Sequence, residues 1–263
     1  PGNLPLQATN APLTIANSAT GAMLSTGGTG NVLLHTTSDA RDGGAGIVLD
    51  GSIETAGGAV SVDAADDLEI NAKLETAGDG TLDVRSRNGA VRTDGGGILQ
   101  TDGQGIRIDA AGNIELGVLD ARTAGDRVGG TTTNQAADWG SVWLESAGGR
   151  IENHADIGTG GTLVYAAGAA FRATGFGTAA APITTEAAIL RGETTGAGDI
   201  FVHEASDLTV GGSVIAGVAR VTDQGETMPL SEPSAPTAGL GSATGQAGVI
   251  VLRVATGGLD ILE

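Results

Sequence analysis

The sequence predicts an all-β protein built as a right-handed parallel β-helix, with three short strands in each coil of about 22 residues. Apolar residues alternate with polar ones in short runs, which is typical of strands with one buried face. Clusters of glycine, asparagine and aspartate separate these runs, and such residues suit turns that need a positive φ. A third observation, an internal repeat, sets the length of the coil.

The clearest repeat is a seven-residue segment, because Ser52–Gly58 returns as Lys73–Asp79 after 21 residues. A pair of alternating apolar residues follows each copy, and similar pairs recur along the rest of the chain. The first members of these seven successive pairs are separated by 22, 24, 36, 21, 37 and 49 residues. The basic period is therefore near 22, lengthened by three insertions. The pairs are Val60/Val62, Leu82/Val84, Ile106/Ile108, Val142/Leu144, Leu163/Tyr165, Ile200/Val202 and Val249/Val251. A shorter third strand is predicted around Ile53, Leu74, Leu119 and Ile215.

The repeat defines one β-helix domain over residues 30–263, preceded by a segment over residues 1–29 that would serve as a cap or a strand-donating arm. Proline is absent from Leu13 to Ala181, as expected where backbone amides serve a hydrogen-bonded ladder. Leu259–Glu263 stops in mid-coil and would leave unpaired backbone groups, which favours end-to-end stacking or continuation into a longer stalk. The longer insertions are predicted near residues 121–138, 172–188 and 218–248.

Composition excludes several classes of protein. The chain carries 31 acidic and 13 basic residues, a net charge of −18, which argues against a basic surface for nucleic acid or anionic lipid. No apolar run is long enough for a transmembrane helix, so membrane insertion is not expected. The absence of cysteine excludes a disulfide-stapled module.

A polysaccharide lyase or hydrolase with an acidic exterior groove is the alternative from another class, since such chemistry needs clustered carboxylates. Asp66 and Asp67 are the best candidate pair, with Asp207 at the corresponding place in a later coil. Adjacent residues on a strand point to opposite faces, so the pair fits turn chemistry better than catalysis. We therefore assign no catalytic, cofactor-binding or metal-ligating residue and expect only weak Ca²⁺ binding to the acidic surface.

The apolar residues beside the predicted core give the most specific functional signal. If the first member of each apolar pair points inward, the next residue points outward. In the second half of the chain these outward residues are apolar: Trp143, Val164, Phe201 and Ile250. Two interpretations stay open, because an insertion could fold over this stripe or a partner could contact it.

Gly198–Gly212 combines glycine turns, alternating apolar residues and an Asp-Leu-x-Val run. Such runs cover most of residues 30–263 and resemble the degenerate repeats of filamentous-haemagglutinin-type proteins, which are large bacterial surface adhesins and autotransporter-like passengers. The resemblance implies an extracellular location at the bacterial cell surface and a host or matrix glycan or protein as partner. The expected function is thus a structural or adhesive stalk, fibre or sheath rather than an enzyme.

Overall fold

The computed structural model describes residues 2–17, 24–38, 44–130, 138–155, 161–230, 239–242 and 248–262. Within these ranges the chain is almost entirely β, and the only helix is the short α1 at Ala124–Gly129. Nearly all strand pairings are parallel. The fold is therefore solenoid-like, with parallel strands stacked around one apolar core.

The first strands form three rows, because each strand pairs with the strand three places further along the chain. Row A contains β1 (Leu4–Thr9), β4 (Val32–Thr37), β7 (Val60–Ala64), β10 (Leu82–Ser86), β13 (Ile106–Ala110) and β16 (Ser141–Ser146). Row B contains β2 (Leu13–Ile15), β5 (Ile47–Leu49), β8 (Leu68–Ile70), β11 (Val91–Thr93), β14 (Ile114–Leu116) and β17 (Ile151–Asn153). Row C contains β3 (Leu24–Thr26), β6 (Ile53–Thr55), β9 (Lys73–Thr76), β12 (Ile98–Gln100) and β15 (Val118–Asp120).

Two long strands then turn the corner from row C to row A. The first residues of β18 (Val164–Ala173) pair with β15, and its later residues pair with β16. The next strand, β19 (Ile183–Thr194), stacks on β18. Small residues such as Gly168 let the strand bend round the corner without a separate turn.

The remaining strands extend the stack. They are β20 (Ile200–Glu204), β21 (Leu208–Val210), β22 (Ala219–Val221), β23 (Thr227–Pro229), β24 (Leu240–Ser242), β25 (Ile250–Val254) and β26 (Leu259–Ile261). β20, β21 and β24 pair with β19, while β25 pairs with β20 and β26 pairs with β21. β22 and β23 form an antiparallel hairpin.

The core consists of inward side chains stacked in ladders. Val62, Val84, Ile108 and Leu144 are fully buried, and each pairs with the corresponding residue on the neighbouring strand. Successive members lie one strand spacing apart, about 4.8 Å. The alternating apolar pairs of the sequence therefore correspond to core ladders in this part of the chain.

The segment over residues 1–29, predicted as a cap or a strand-donating arm, contributes three strands to the stack. β1, β2 and β3 pair in register with β4, β5 and β6 and continue the same rows of strands. Pro5 lies in β1, where an edge strand tolerates the missing backbone N–H.

The predicted insertions also need correction. Strand β18 runs to Ala173 and β19 begins at Ile183, so only residues 174–182, rather than 172–188, lie between strands. The excursion predicted at residues 218–248 begins earlier, directly after β21, and Ile215 is 66% exposed instead of forming a core strand. Within the excursion predicted at 121–138, α1 follows β15.

Parts of two predicted excursions, residues 131–137, 231–238 and 243–247, lie outside the described residues.

The recurring threonine of the repeat closes a corner of the stack. Thr26, Thr55 and Thr76 pair with one another on successive strands of row C and are buried. Each hydroxyl donates to a main-chain carbonyl three or four residues further on, at 2.5–2.6 Å. Thr101 makes the same bond to Gln104. The repeat visible in the sequence is therefore the signature of a hydrogen-bonded turn.

Replacement of Thr76 by valine is expected to lower the free energy of unfolding by about 1–3 kcal/mol, because the buried Gly80 carbonyl loses its donor while the shape of the side chain is kept. Urea unfolding at neutral pH measures this loss. Thr227→Val is the matched control, since Thr227 is exposed on β23, and it is expected to change stability by less than about 0.5 kcal/mol. Equal losses in the two variants would contradict the role of the corner hydroxyl.

Candidate functional site

Trp143 points away from the main core on row A, yet it is only 1% exposed. The side chains of Val214, Ala216 and Val218 cover it, together with Ala170 of β18. These covering residues follow β21, and Leu230 packs on the same cluster after the β22–β23 hairpin. We call residues 211–230 the strap. Trp143 is thus covered by another part of the same chain.

The strap runs back along row A towards the N-terminus. Val214 lies against Gly168, where a Cβ would come within 3.1 Å of the valine methyl group. Further along, Ala216 passes over Gly105, where a Cβ would come within 1.8 Å of its carbonyl oxygen. These two glycines leave the space in which the strap lies.

The second half of the strap is attached to the earliest strands. The backbone N–H of Ala219 donates to the Thr81 hydroxyl at 3.1 Å, and the N–H of Val221 donates to the Ser61 hydroxyl at 2.8 Å. The side-chain amide of Asn31 donates to the Gly225 carbonyl at 2.8 Å. From β18 to β4 the strap crosses five strand spacings, or about 24 Å.

A buried ion pair fastens the strap to row A. The side chain of Asp83 is 1% exposed and accepts hydrogen bonds from Arg220 Nε at 2.6 Å and from Arg107 Nη1 at 3.0 Å. Burial lowers the pKa of Arg220, but the hydrogen bond and the charge of Asp83 outweigh burial and raise it above its usual value. Arg107 is shared with Asp109, so Arg220 of the strap supplies a second cation to the buried Asp83 carboxylate.

Asp66 and Asp67 are engaged in turns. Asp66 Oδ2 accepts from the N–H of Ala45 at 3.0 Å, and Asp67 Oδ1 accepts from the N–H of Ala90 at 2.8 Å. Arg92 donates to the other oxygen of Asp67 at 3.2 Å. A cavity of about 500 Å³ lies beside both aspartates, but the two carboxylates are bonded to different segments, Asp66 to the one before β5 and Asp67 to the one before β11.

Asp67 makes a hydrogen bond that recurs along the stack and that was not predicted from the sequence. An Asn or Asp directly before a strand accepts a hydrogen bond from the backbone N–H that precedes the paired strand. Asp207 does this with Gly258 at 2.5 Å, and Asn113 does it with Arg150 at 2.9 Å. Asn3, Asn31 and Asp199 make the same bond. The signal in the sequence is an Asn or Asp immediately before an apolar pair.

Val164 and Ile250 do not point outward as predicted. Val164 pairs with Leu119 and is fully buried in the core together with Ala166 and the preceding Leu163, whereas Tyr165 is only half-buried. Ile250 pairs with the inward Ile200 and is 48% exposed. Val164 lies in the apolar run Leu163–Tyr165 and Ile250 lies in the run Val249–Leu252, and in such a run alternation does not say which residue faces the core.

Phe201 does point outward, because burial alternates along β20 with Ile200 and Val202 inward. Its half-buried ring lines a cavity of about 250 Å³. Trp143 and Phe201 are therefore in different situations, since the strap covers the first and an open cavity lies beside the second. The four residues of the predicted stripe do not form one surface.

No family model matches the chain, and no curated protein or solved structure matches it significantly. Across the part of the chain that the structure describes, no three His, Asp or Glu side chains are grouped as a metal site would require. In the same residues, no helix has the length and apolar character needed to cross a bilayer.

Proposed function

We propose that the protein is an extracellular structural or adhesive unit, a right-handed parallel β-helix that forms part of a bacterial surface stalk, fibre or sheath. The right-handed sense is the one found in about 98% of connections between parallel strands of one sheet. Coils of about 22 residues fit the spacing of Val60 and Leu82, which pair on adjacent strands. The resemblance of the repeats to filamentous-haemagglutinin-type proteins supports the location at the cell surface.

The strap is the observation that carries this proposal. In a simple solenoid each coil contacts only its neighbours, so a pulled stack opens one coil at a time. Here Asp83, Ser61 and Asn31 lie on or beside three different strands of row A and are all bonded to the strap. A segment attached at several heights along the stack must detach before those coils can separate. Such an arrangement suits a unit that bears tension.

The charges on the outside of row A also link neighbouring coils. Arg172 of β18 pairs with Glu145 of β16 at 2.7 Å and with Glu193 of β19 at 3.4 Å. These contacts place opposite charges across adjacent strands, where they contribute a few tenths of a kcal/mol each. Asp66 and Asp67 would have to give up their turn hydrogen bonds to act on a polysaccharide. A structural role therefore needs no change in the contacts that these acidic side chains already make.

The apolar strands at the far end of the stack support contact with further coils. Ile250, Leu259 and Ile261 are 48%, 44% and 69% exposed, and they line a cavity together with Leu240 and Leu252. Unpaired strand edges beside apolar side chains favour addition of another strand. We infer that the partner is a further coil, provided by a second copy or by a longer stalk.

Pulling on single molecules by both chain ends tests the mechanical role of the strap. The wild-type chain is expected to resist until one high-force event, after which its coils open in smaller steps. The double variant Val218→Ser/Arg220→Gln weakens the strap without changing any strand of rows A to C, and it should open in small steps from a lower force. Circular dichroism would establish that the variant keeps its strands.

Ile215→Ser is the control, because Ile215 lies in the strap but is 66% exposed, and its force trace should match that of the wild type. Identical traces for the wild type and the double variant would overturn the proposal that the strap holds the coils together under load.

A further inference from the structure

The cavity beside Phe201 combines side chains of two different kinds. It lies on the outer side of β20 and β25 and has a volume of about 250 Å³. One kind is apolar and includes the aromatic ring of Phe201, and the other is the basic pair His203 and Arg253. Its lining residues include Phe201, His203, Val251 and Arg253 from the strands, and Ala179 and Pro182 from the loop between β18 and β19.

Strand pairing places the polar groups together. His203 pairs with Arg253, and Phe201 pairs with Val251, so each pair is separated by about one strand spacing of 4.8 Å. Phe201 and His203 are two residues apart on one strand and therefore share its outer face. The ring and the two basic groups thus border the same cavity from one side.

The opposite wall is held by backbone hydrogen bonds. Gly177 has a φ of +57°, and its N–H donates to the Ile151 carbonyl at 2.8 Å. The N–H of Ala181 donates to the Thr178 hydroxyl at 3.0 Å, which closes the tip of the loop. Phe201 is fixed in turn, because its N–H donates to the Phe176 carbonyl at 2.9 Å. The cavity is therefore largely preformed, as binding sites usually are.

The basic groups of this cavity differ from most others in the chain. Among the described residues, neither His203 nor Arg253 has an acidic side chain or a side-chain hydrogen bond as partner, although the chain carries a net charge of −18. The arginines with carboxylate partners are Arg85, Arg87, Arg92, Arg107, Arg122, Arg127, Arg150, Arg172 and Arg220. An unpaired guanidinium beside a cavity of an acidic protein favours an anionic ligand.

We propose that this cavity binds an acidic sugar, a single pyranose ring that carries a carboxylate. The Arg253 guanidinium has the planar geometry that pairs with a carboxylate through two hydrogen bonds. The Phe201 ring offers a flat apolar surface for the C–H face of the sugar, and His203 can hydrogen-bond a hydroxyl group. A volume of about 250 Å³ lies below the range of drug-sized ligands, which suits one ring. The biological meaning of the site rests on the proposed adhesive function.

Calorimetric or NMR titration of the full chain with sodium galacturonate tests the proposal. Galactose, of the same ring shape without the carboxylate, should bind at least about tenfold more weakly, and inorganic phosphate should not compete. Arg253→Gln and Phe201→Leu should each weaken galacturonate binding about tenfold or more, whereas Arg85→Gln should leave it unchanged because Arg85 pairs with Asp109.

Equal binding of galactose would overturn the role of Arg253, and competition by phosphate would reduce the site to a simple anion site. No binding of galacturonate at all would overturn the whole proposal. Phe201→Leu keeps an apolar side chain in place, so loss of binding with unchanged circular dichroism reports on the ring and not on folding. None of these variants changes a residue of the strap. The binding experiment therefore tests only the cavity, and the pulling experiment tests the proposed structural function.

Discussion

Replacement of Trp143 by alanine is expected to lower the free energy of unfolding by roughly 3–5 kcal/mol, the usual loss for a fully buried aromatic side chain. Trp143 is 1% exposed and lies in a cluster with the strap and Ala170, against which Ile189 also packs. The loss combines the missing apolar contacts with a cavity that the strap can fill only in part. Chemical unfolding followed by circular dichroism measures it.

Ile215→Ala is the matched control for this experiment. Ile215 lies between Val214 and Ala216 in the strap but is 66% exposed, so its truncation should change stability by less than about 0.5 kcal/mol. If Trp143→Ala were as mild as the control, the strap would not be packed on Trp143 in solution. The double variant Trp143→Ala/Val218→Ala should lose less than the sum of the single variants, because the two side chains are in one cluster.

The stability of the protein is expected to fall between pH 4.5 and about 7 through the titration of Glu204. Burial raises the pKa of this carboxyl from 4.5 to about 7, against the opposing hydrogen bonds from Thr185, Ala187 and Ser206, and the charge of Glu186 adds to the increase. In that interval the folded state holds a proton that the unfolded state has released, so rising pH favours unfolding. The change in the pKa of Glu204 from 4.5 to about 7 corresponds to roughly 3 kcal/mol of stability lost above pH 7.

Glu204→Gln should remove this pH dependence and be more stable than the wild type at pH 8. The glutamine oxygen can accept the backbone N–H bonds of Ala187 and Ala205, and its amide can donate to the Thr185 hydroxyl, so the bonds now made to the two carboxylate oxygens are kept. The measurement is the difference in unfolding free energy between variant and wild type at pH 5 and pH 8.

Glu226→Gln is the control for the pH dependence, since Glu226 is exposed at the strap hairpin. Its unfolding free energy should differ little from that of the wild type at both pH 5 and pH 8. A Glu204→Gln chain that is less stable than the wild type at pH 8 would show that the carboxylate is charged and well accommodated in the folded state.

The part of the fold that could be predicted from the sequence is the part governed by local pattern. The alternation of Val60 and Val62, repeated at Leu82 and Val84, reports a strand with one buried face, and the structure places these residues in core ladders. The recurring Glu-Thr-Ala-Gly segment reports the corner closed by Thr55. Such signals are local, because they depend on residues a few positions apart.

The errors occur where the pattern is compatible with two arrangements. Three consecutive apolar residues around Val164 allow either of two registers, and a slip of one residue exchanges the two faces. Val214, Ala216 and Val218 also alternate like a strand, but the alternation here records a segment lying over Trp143. Which surface a segment covers depends on contacts between residues far apart in the chain, and the local alternation of apolar residues does not report those contacts.

The candidate site was predictable only in part. The outward direction of Phe201 follows from alternation on β20, but its basic neighbour Arg253 comes from a strand about 50 residues later. The repeat places these two strands on successive turns of the stack, but the apolar run Val249–Leu252 leaves their register open. The cavity also depends on Ala179 and Pro182 of the loop between β18 and β19, which strand spacing does not place.

The strap has a consequence for the order in which the chain folds. Its hydrogen bond between Asn31 and Gly225 joins residues 194 positions apart, so it cannot form until nearly the whole strap has been synthesised. The first coils need only contacts between neighbouring strands and can form as the chain emerges, whereas closure of such a long loop carries a larger entropic cost. Until Val214, Ala216 and Val218 close over it, the Trp143 ring stays in contact with water. Burial of the ring is therefore expected to follow the formation of the first strands of rows A to C.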